Sequence, residues 1–358
     1  MTERGGVGAS GIRGIEFSRL DWRAATRAAV STGVPLIVLA SIDRLDLAIY
    51  ASFAAFTALY GRNEPYRQRW LTLLLSGAVL LAAIVGGVAT SLAGTPTWLA
   101  GIGLSLVITA GVLLTAIMQW IPMGAIFFTF AYLGTSVRPT DPAIFWDAVL
   151  VAASVVAFSF AVGMSGALLR RIPALGERVP DPNRRPHRRL RQAITAENGW
   201  MILVTLLAAW AAAVIAATLD VATHHYWAVV TVTAIFSAPS HLFGFERISH
   251  RVVGTLVGVG LAAALYGGEP HPIYVIAVLL LCTFATELVV GQHYGFALAF
   301  ITPLAIGATS LGAPSNYEVL FVARARETLI GGLVCLAVVY LVRRWRRRQD
   351  TTAIEVVG

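Results

Sequence analysis

Apolar stretches long enough to cross a bilayer recur along almost the whole chain, and no other feature restricts the fold as strongly. A spanning helix needs roughly 20 mostly apolar residues. Inside hydrocarbon no water meets the backbone N–H and C=O groups, so each stretch must close its hydrogen bonds within itself, as a helix does. Of the 358 residues 57% are hydrophobic and 13% charged, with mean hydropathy +0.73. A soluble domain carries about 25% charged residues, and this chain has too little polar surface to clothe a water-facing globule. The expected fold is an all-α polytopic membrane protein.

Twelve spans are expected: 24–41, 46–60, 70–92, 97–117, 121–136 and 144–169, then 200–219, 226–239, 250–267, 272–289, 292–310 and 318–342. The interval 170–198 holds eight Arg and four Pro and cannot enter hydrocarbon. The chain therefore divides into a tail (1–23), a six-helix repeat (24–169), an Arg/Pro-rich linker (170–198), a second six-helix repeat (199–342) and a tail (343–358). All 27 basic residues are Arg. They gather before and at the start of the first span (Arg4, Arg13, Arg19, Arg23, Arg27), in the linker, and after the twelfth span (Arg343, Arg344, Arg346, Arg347, Arg348). Six spans separate successive clusters, so all three fall on one side, which the positive-inside rule makes cytoplasmic. Arg62, Arg67, Arg69, Arg247 and Arg251 agree as inner-side residues; Asp46, Asp220 and Glu269 fall in the opposite loops. Both termini are thus expected on the cytoplasmic face of the inner membrane. The polar N-terminus lacks a signal-peptide core, so the first span is read as an uncleaved signal.

The halves resemble each other. WLTLLLSGAVLLAAIVGG ends at Gly87 and RVVGTLVGVGLAAALYGG at Gly268, an offset of 181 (268 − 87) that also pairs Gly77 with Gly258. Near that offset WDAVLVAA matches RETLIGGL, pairing Asp147 with Glu327. An even number of spans per half gives both repeats one orientation, related by a pseudo-twofold axis along the membrane normal. The second, fifth and eighth spans are short, and the eleventh is expected to break at Thr302-Pro303. Short or interrupted segments at matching places in two repeats point to a central binding site.

The segment YWAVVTVTAIFSAP from Tyr226, the run Arg251-Val-Val-Gly254-Thr255-Leu-Val-Gly258 and RARETLIGG ending at Gly332 resemble the fusaric acid resistance and aromatic acid exporter superfamily, to which plant aluminium-activated malate transporters are also similar. The likeness covers roughly residues 197–342. In the first half Leu73 and Leu74 stand where Gly254 and Thr255 do. The resemblance implies six-helix units paired about a twofold axis and movement of organic anions, aromatic carboxylates above all, out of the cytoplasm. Many bacterial members carry sizeable cytoplasmic domains after their helical units, whereas this chain has the linker and a short tail.

Ionisable groups within spans are costly, about 2.5–3.5 kcal/mol each on insertion scales, and mark functional candidates. The twelfth span carries Arg324, Arg326 and Glu327. Glu327 lies nine residues beyond Glu318, roughly 14 Å into the bilayer at 1.5 Å per residue. Arg324 and Glu327 share a helix face and Arg326 projects elsewhere. A guanidinium holds a carboxylate bidentately and stays charged, so Arg324 or Arg326 is the candidate anion-binding group, with Glu327 and Asp147 as candidate proton-coupling acids. The alternative is an Arg324–Glu327 ion pair that locks the repeats together. Glu287 and His293 bracket the tenth-to-eleventh connection as a candidate inner gate or, alternatively, a solvated pair. Trp120, Phe127, Phe128, Phe130 and Tyr132 are placed to stack on an aromatic substrate or to pack between helices. His224 and His225 fall at the outer edge and His241 and His250 at the inner edge, so they make no single metal site.

GVGASG near the N-terminus has no Lys-Ser/Thr ending, so no phosphate-binding loop is expected. No catalytic constellation is visible and Cys282 and Cys335 fall within spans, so neither an enzyme, a cofactor nor a metal is expected. The partners are a small organic anion and the bilayer, with nucleic acid excluded by the placement of the Arg clusters. The leading expectation is a secondary exporter of aromatic or other organic anions driven by the proton gradient. The rivals are a passive anion channel and a non-transporting scaffold for envelope assembly.

Overall fold

The computed structural model describes residues 20–62, 64–94, 97–138, 140–171, 186, 188, 190–192, 194–219, 226–237, 244–268, 270–312 and 316–357, with only the backbone from 345 onward. His224, His225, His241, Asp220, Glu269 and most of the linker lie outside these residues. Among them the chain forms twelve principal helices and no strand: α1 (Trp22–Ser41), α2 (Leu45–Leu59, an α-helix with 3-10 turns at both ends), α3 (Tyr66–Leu92), α4 (Thr97–Met118), α5 (Ile126–Ser136), α6 (Phe145–Leu169), α7 (Ala196–Thr218), α8 (Tyr226–Phe236), α9 (Phe245–Tyr266), α10 (Pro272–Val289), α11 (Tyr294–Ser310) and α12 (Tyr317–Val357).

Eight of these helices are long and apolar enough to cross a membrane: α1, α3, α4, α6, α7, α9, α10 and α12. The other four, α2, α5, α8 and α11, are shorter apolar helices. An 11-residue helix such as α8 rises about 16 Å, half the thickness of a hydrocarbon core. Burial separates the two sets. Every residue of α8 and of Ala48–Ala55 is buried, whereas α4 and α6 bury a single stripe of small residues such as Gly101, Gly111, Ala148 and Ala152. A helix apolar on all sides is satisfied only when other helices surround it. The short helices therefore form the interior and the long ones the wall.

Pro303 does not break α11, correcting the expectation of an interrupted eleventh span. The helix runs unbroken from Tyr294 to Ser310. Proline is tolerated inside a helix that other helices enclose; the Tyr266 hydroxyl of α9 donates to the Pro303 carbonyl at 3.1 Å and ties the two helices at this point.

Helix pairings recur between the halves. α3 packs on α5 and α6, and α9 on α11 and α12; α2 packs on α1 and α6, and α8 on α7 and α12; α4 lies on α5, and α10 on α11. Across the halves the pairings are reciprocal: α1 meets α10 and α4 meets α7, while α2 meets α11 and α5 meets α8. The buried faces of α3 and α9 also fix a register. Arg69, Thr72, Leu73, Ser76, Leu80 and Ile84 are buried in α3, and Arg251, Gly254, Thr255, Gly258, Ala262 and Tyr266 in α9. Each pair differs by 182 (251 − 69), one residue from the 181 that the glycine match suggests. Gly77 and Gly258 are therefore not equivalent on the packed faces; Ser76 and Gly258 are.

Side-chain ties separate the two ends of the bundle. At one end Arg62, between α2 and α3, reaches Asp21 at the start of α1 and Glu287 near the end of α10. At the opposite end Arg44 pairs with Asp46 and Asp147, and Arg138 donates to the Gly312 carbonyl at 2.9 Å. Gly312 has φ +70°, and a Cβ there would run into the backbone of Leu45.

Candidate functional site

The first turn of α8 starts inside the bundle rather than at its surface. Tyr226 is 4% exposed and Trp227 is fully buried. Gly331 on α12 permits this, because a Cβ there would lie 2.6 Å from the Ala228 carbonyl oxygen and 2.8 Å from Thr231 Cβ. The α12 and α8 backbones therefore touch. Glu327, one turn before Gly331 on the same face, is delivered to the α8 terminus. Its Oε2 accepts from the Ala228 N–H at 3.2 Å, and the carboxylate is fully buried. The first N–H groups of a helix have no partner within it. Together with the macrodipole they make its N-terminus an anion seat.

One guanidinium borders the seat, and a second acts on the first from α9. Arg324, three residues before Glu327, is 1% exposed and lies 5.0 Å from the Trp227 ring centroid. Its Nε and Nη1 are buried without a hydrogen-bond partner. Arg251 of α9 is 2% exposed, with Nη1 3.4 Å from the Tyr294 hydroxyl of α11 and Nε unpartnered. Among the described residues no ion pair joins Arg324 to Glu327, so the expected lock between them is absent. The carboxylate goes to the main chain of α8 instead, which leaves two cations beside one anion.

The other sequence candidates fall elsewhere. Arg326 is exposed on the outer face of α12. Asp147 lies 2.7 Å from Arg44 at the far end, with its side chain 43% exposed, and belongs to that surface pair rather than to the seat. Glu287 and His293 are not partners. Glu287 lies 3.4 Å from Arg62, while His293 caps α11 by accepting the Phe296 N–H at 3.0 Å, with its ring 5.3 Å from His250. Arg62 is held in turn by Asp21 at 2.9 Å. Burial opposes ionisation of Asp21, but the Ala24 N–H and the Arg62 guanidinium outweigh it and hold this carboxyl below its ordinary value.

Four of the five aromatic candidates join a continuous run toward the seat. Trp120 lies 5.5 Å from Tyr60, which stacks on Phe128 at 5.6 Å and 11°. Phe127 meets Phe56 at 4.8 Å, Phe130 meets Phe53 at 5.0 Å, and Phe130 reaches Tyr226 of the second half at 6.2 Å. Tyr132 turns away to Thr90 and the Ala100 carbonyl.

Sequence reasoning read Arg251 and Arg69 as inner-side topology markers and did not single them out as interior groups; both are buried within helices. The signal was present, because Arg251, Gly254, Thr255 and Gly258 follow the spacing of one helix face. It also missed Glu64, a fully buried carboxylate that accepts from the Thr72 hydroxyl at 2.6 Å and from Arg188 of the linker at 3.1 Å.

Eight apolar helices of spanning length around a buried, charge-bearing interior make this a multi-pass helical membrane protein. Residues 199–338 match the fusaric acid resistance protein-like family. A stretch of 135 residues is 28% identical to the uncharacterized membrane protein YvaC of Bacillus subtilis (strain 168). That stretch covers 37% of this chain and 21% of that relative, so the chain spans about a fifth of the relative's length. No solved structure matches.

Proposed function

We propose that this protein is a secondary transporter that exports organic anions, aromatic carboxylates among them, through a seat at the α8 N-terminus between two six-helix repeats. The observation that carries the reading is Arg324: a guanidinium 1% exposed, with Nε and Nη1 unpartnered, set against the first turn of α8. Burying an unpaired charge is expensive, and a carboxylate ligand would satisfy it bidentately. The family match over residues 199–338 supports transport. The aromatic run from Trp120 to Tyr226 supports a ring-bearing substrate, because rings stack face-offset or edge-on at these distances. The reciprocal pairings α1–α10 with α4–α7 and α2–α11 with α5–α8 support a pseudo-twofold arrangement. Under that reading the arginine-rich end is cytoplasmic, and Glu327 is the group that takes a proton.

Efflux of preloaded hydroxybenzoates from expressing cells tests the assignment. Arg324→Met abolishes efflux at matched membrane levels, and Arg326→Ala, on the exposed face, retains it. Efflux no faster than in empty-vector cells, with the protein present in the membrane, refutes the aromatic-anion assignment and favours the scaffold.

A further inference from the structure

The anion seat described above is already filled by a side chain of the protein itself. The Ala228 N–H is one donor, and in this structure it is spent on Glu327 Oε2. We infer that the substrate carboxylate and Glu327 compete for this seat, so that an organic anion binds only when Glu327 is protonated and the two cross together. This inference rests on the transporter reading above.

The charges at the seat decide the sense of the coupling. On Glu327 itself act Arg324 of its own helix and the Ala228 and Trp227 amides of α8; Arg251 of α9, with Tyr294 of α11 against it, acts on Arg324, and Arg138 beyond the end of α5 acts on Tyr226. By ordinary titration ranges only Glu327 among these changes charge between acid and neutral solution. With Glu327 ionised, Arg251 and Arg324 leave the site at +1. A substrate anion added to that state would put two carboxylates at one helix terminus, an arrangement like charges disfavour. With Glu327 protonated, its oxygen is a weaker acceptor, the amide is released, and one substrate anion restores the same +1. Loaded and empty states then carry equal charge, and both are compatible with the same surrounding protein.

Two consequences follow. The empty carrier returns with its own carboxylate in the seat, so it never exposes bare guanidiniums to the core. Proton and anion are co-passengers rather than exchange partners, so the step is electroneutral and export runs down the gradient of the undissociated acid. The membrane potential does not act on it, and a more acidic exterior opposes export rather than driving it, contrary to the expectation from the sequence.

The test uses the purified full-length protein and benzoate as probe, from about pH 5, where benzoate is already ionised, to about pH 9. Calorimetry in two buffers of different ionisation enthalpy counts the protons taken up. The wild type is expected to lose about tenfold in affinity per pH unit on the alkaline side, with uptake approaching one proton per benzoate. Glu327→Gln is expected to bind with the affinity of the acidic wild type at every pH. Wild-type affinity flat with pH, or proton release on binding, overturns the competition while leaving the transporter reading intact. Absence of benzoate binding at every pH in both proteins refutes the aromatic-anion reading itself. Should the Gln variant not fold, the proton count on the wild type decides alone.

Discussion

Replacing Arg324 by Met separates a functional from a structural reason for burying this cation. Taking a guanidinium out of water costs several kcal/mol. The face of Trp227, 5.0 Å away, returns about 2 kcal/mol when desolvated. Glu327 lies beyond 4.0 Å, so its attraction is below about 4 kcal/mol at an effective dielectric constant near 20, and Arg251 cancels part of that. Nε and Nη1 have no acceptor, and each unmet donor costs about 1–3 kcal/mol. Methionine keeps most of the volume, removes the desolvation and both unmet donors, and leaves Glu327 on the Ala228 amide. The balance places Arg324→Met between neutral and about 2 kcal/mol more stable than wild type. In detergent this reads as a thermal midpoint unchanged or raised by up to about 5 °C, alongside lost efflux. A midpoint lowered by more than about 5 °C would show that Arg324 props up the α8–α12 contact, and the lost efflux would then say nothing about substrate.

Other outcomes follow from the ends and seams of the bundle. Arg62→Ala removes the cation between Asp21 and Glu287 and should lower the thermal midpoint, by about 1–3 kcal/mol in stability, because Glu287 stays largely buried. Asp21, whose carboxyl is held below its ordinary value of 3.8, contributes stability that is fully present above about pH 4. That contribution is lost as pH falls through the lower folded value, so melting curves at decreasing pH should weaken there in the wild type and stay flat in Asp21→Asn. Gly258→Ala puts a Cβ 2.6 Å from Thr302 Cβ and 2.9 Å from the Leu298 carbonyl oxygen. It should cost about 1–3 kcal/mol through strain at the α9–α11 seam, measured by the same melt.

What could be read from the sequence follows the physics of each signal. Apolar length located all twelve helices, and the short α2, α5 and α8 stood out because a span's length is dictated by the bilayer. Pro303 misled because a breaker rule for helices in water weakens where other helices enclose the chain. The glycine match at Gly87 and Gly268 suggested an offset of 181, whereas the buried faces of α3 and α9 align at 182, since glycines mark close approach and do not say which face is buried. Glu327 and Arg324 could be singled out because charge within a span is costly. Their arrangement could not, because the amide that holds Glu327 lies about a hundred residues away and Gly331 reads only as a packing residue until its neighbour is known. Asp147 and Arg326 looked equally charged on paper, and only three dimensions turn one toward Arg44 and the other to the outer surface.

Because the donors at the start of α8 are main-chain amides, at Ala228 and also at Trp227, half of the seat has no side chain to mutate. Alanine scanning across Tyr226–Thr231 would leave those donors untouched while altering the rings around them. Proline is the natural substituent that erases an amide, and the first turn of a helix accepts proline without breaking. The recognition element can thus persist through wide drift in the letters that encode it, while selectivity is retuned by the aromatic neighbours alone.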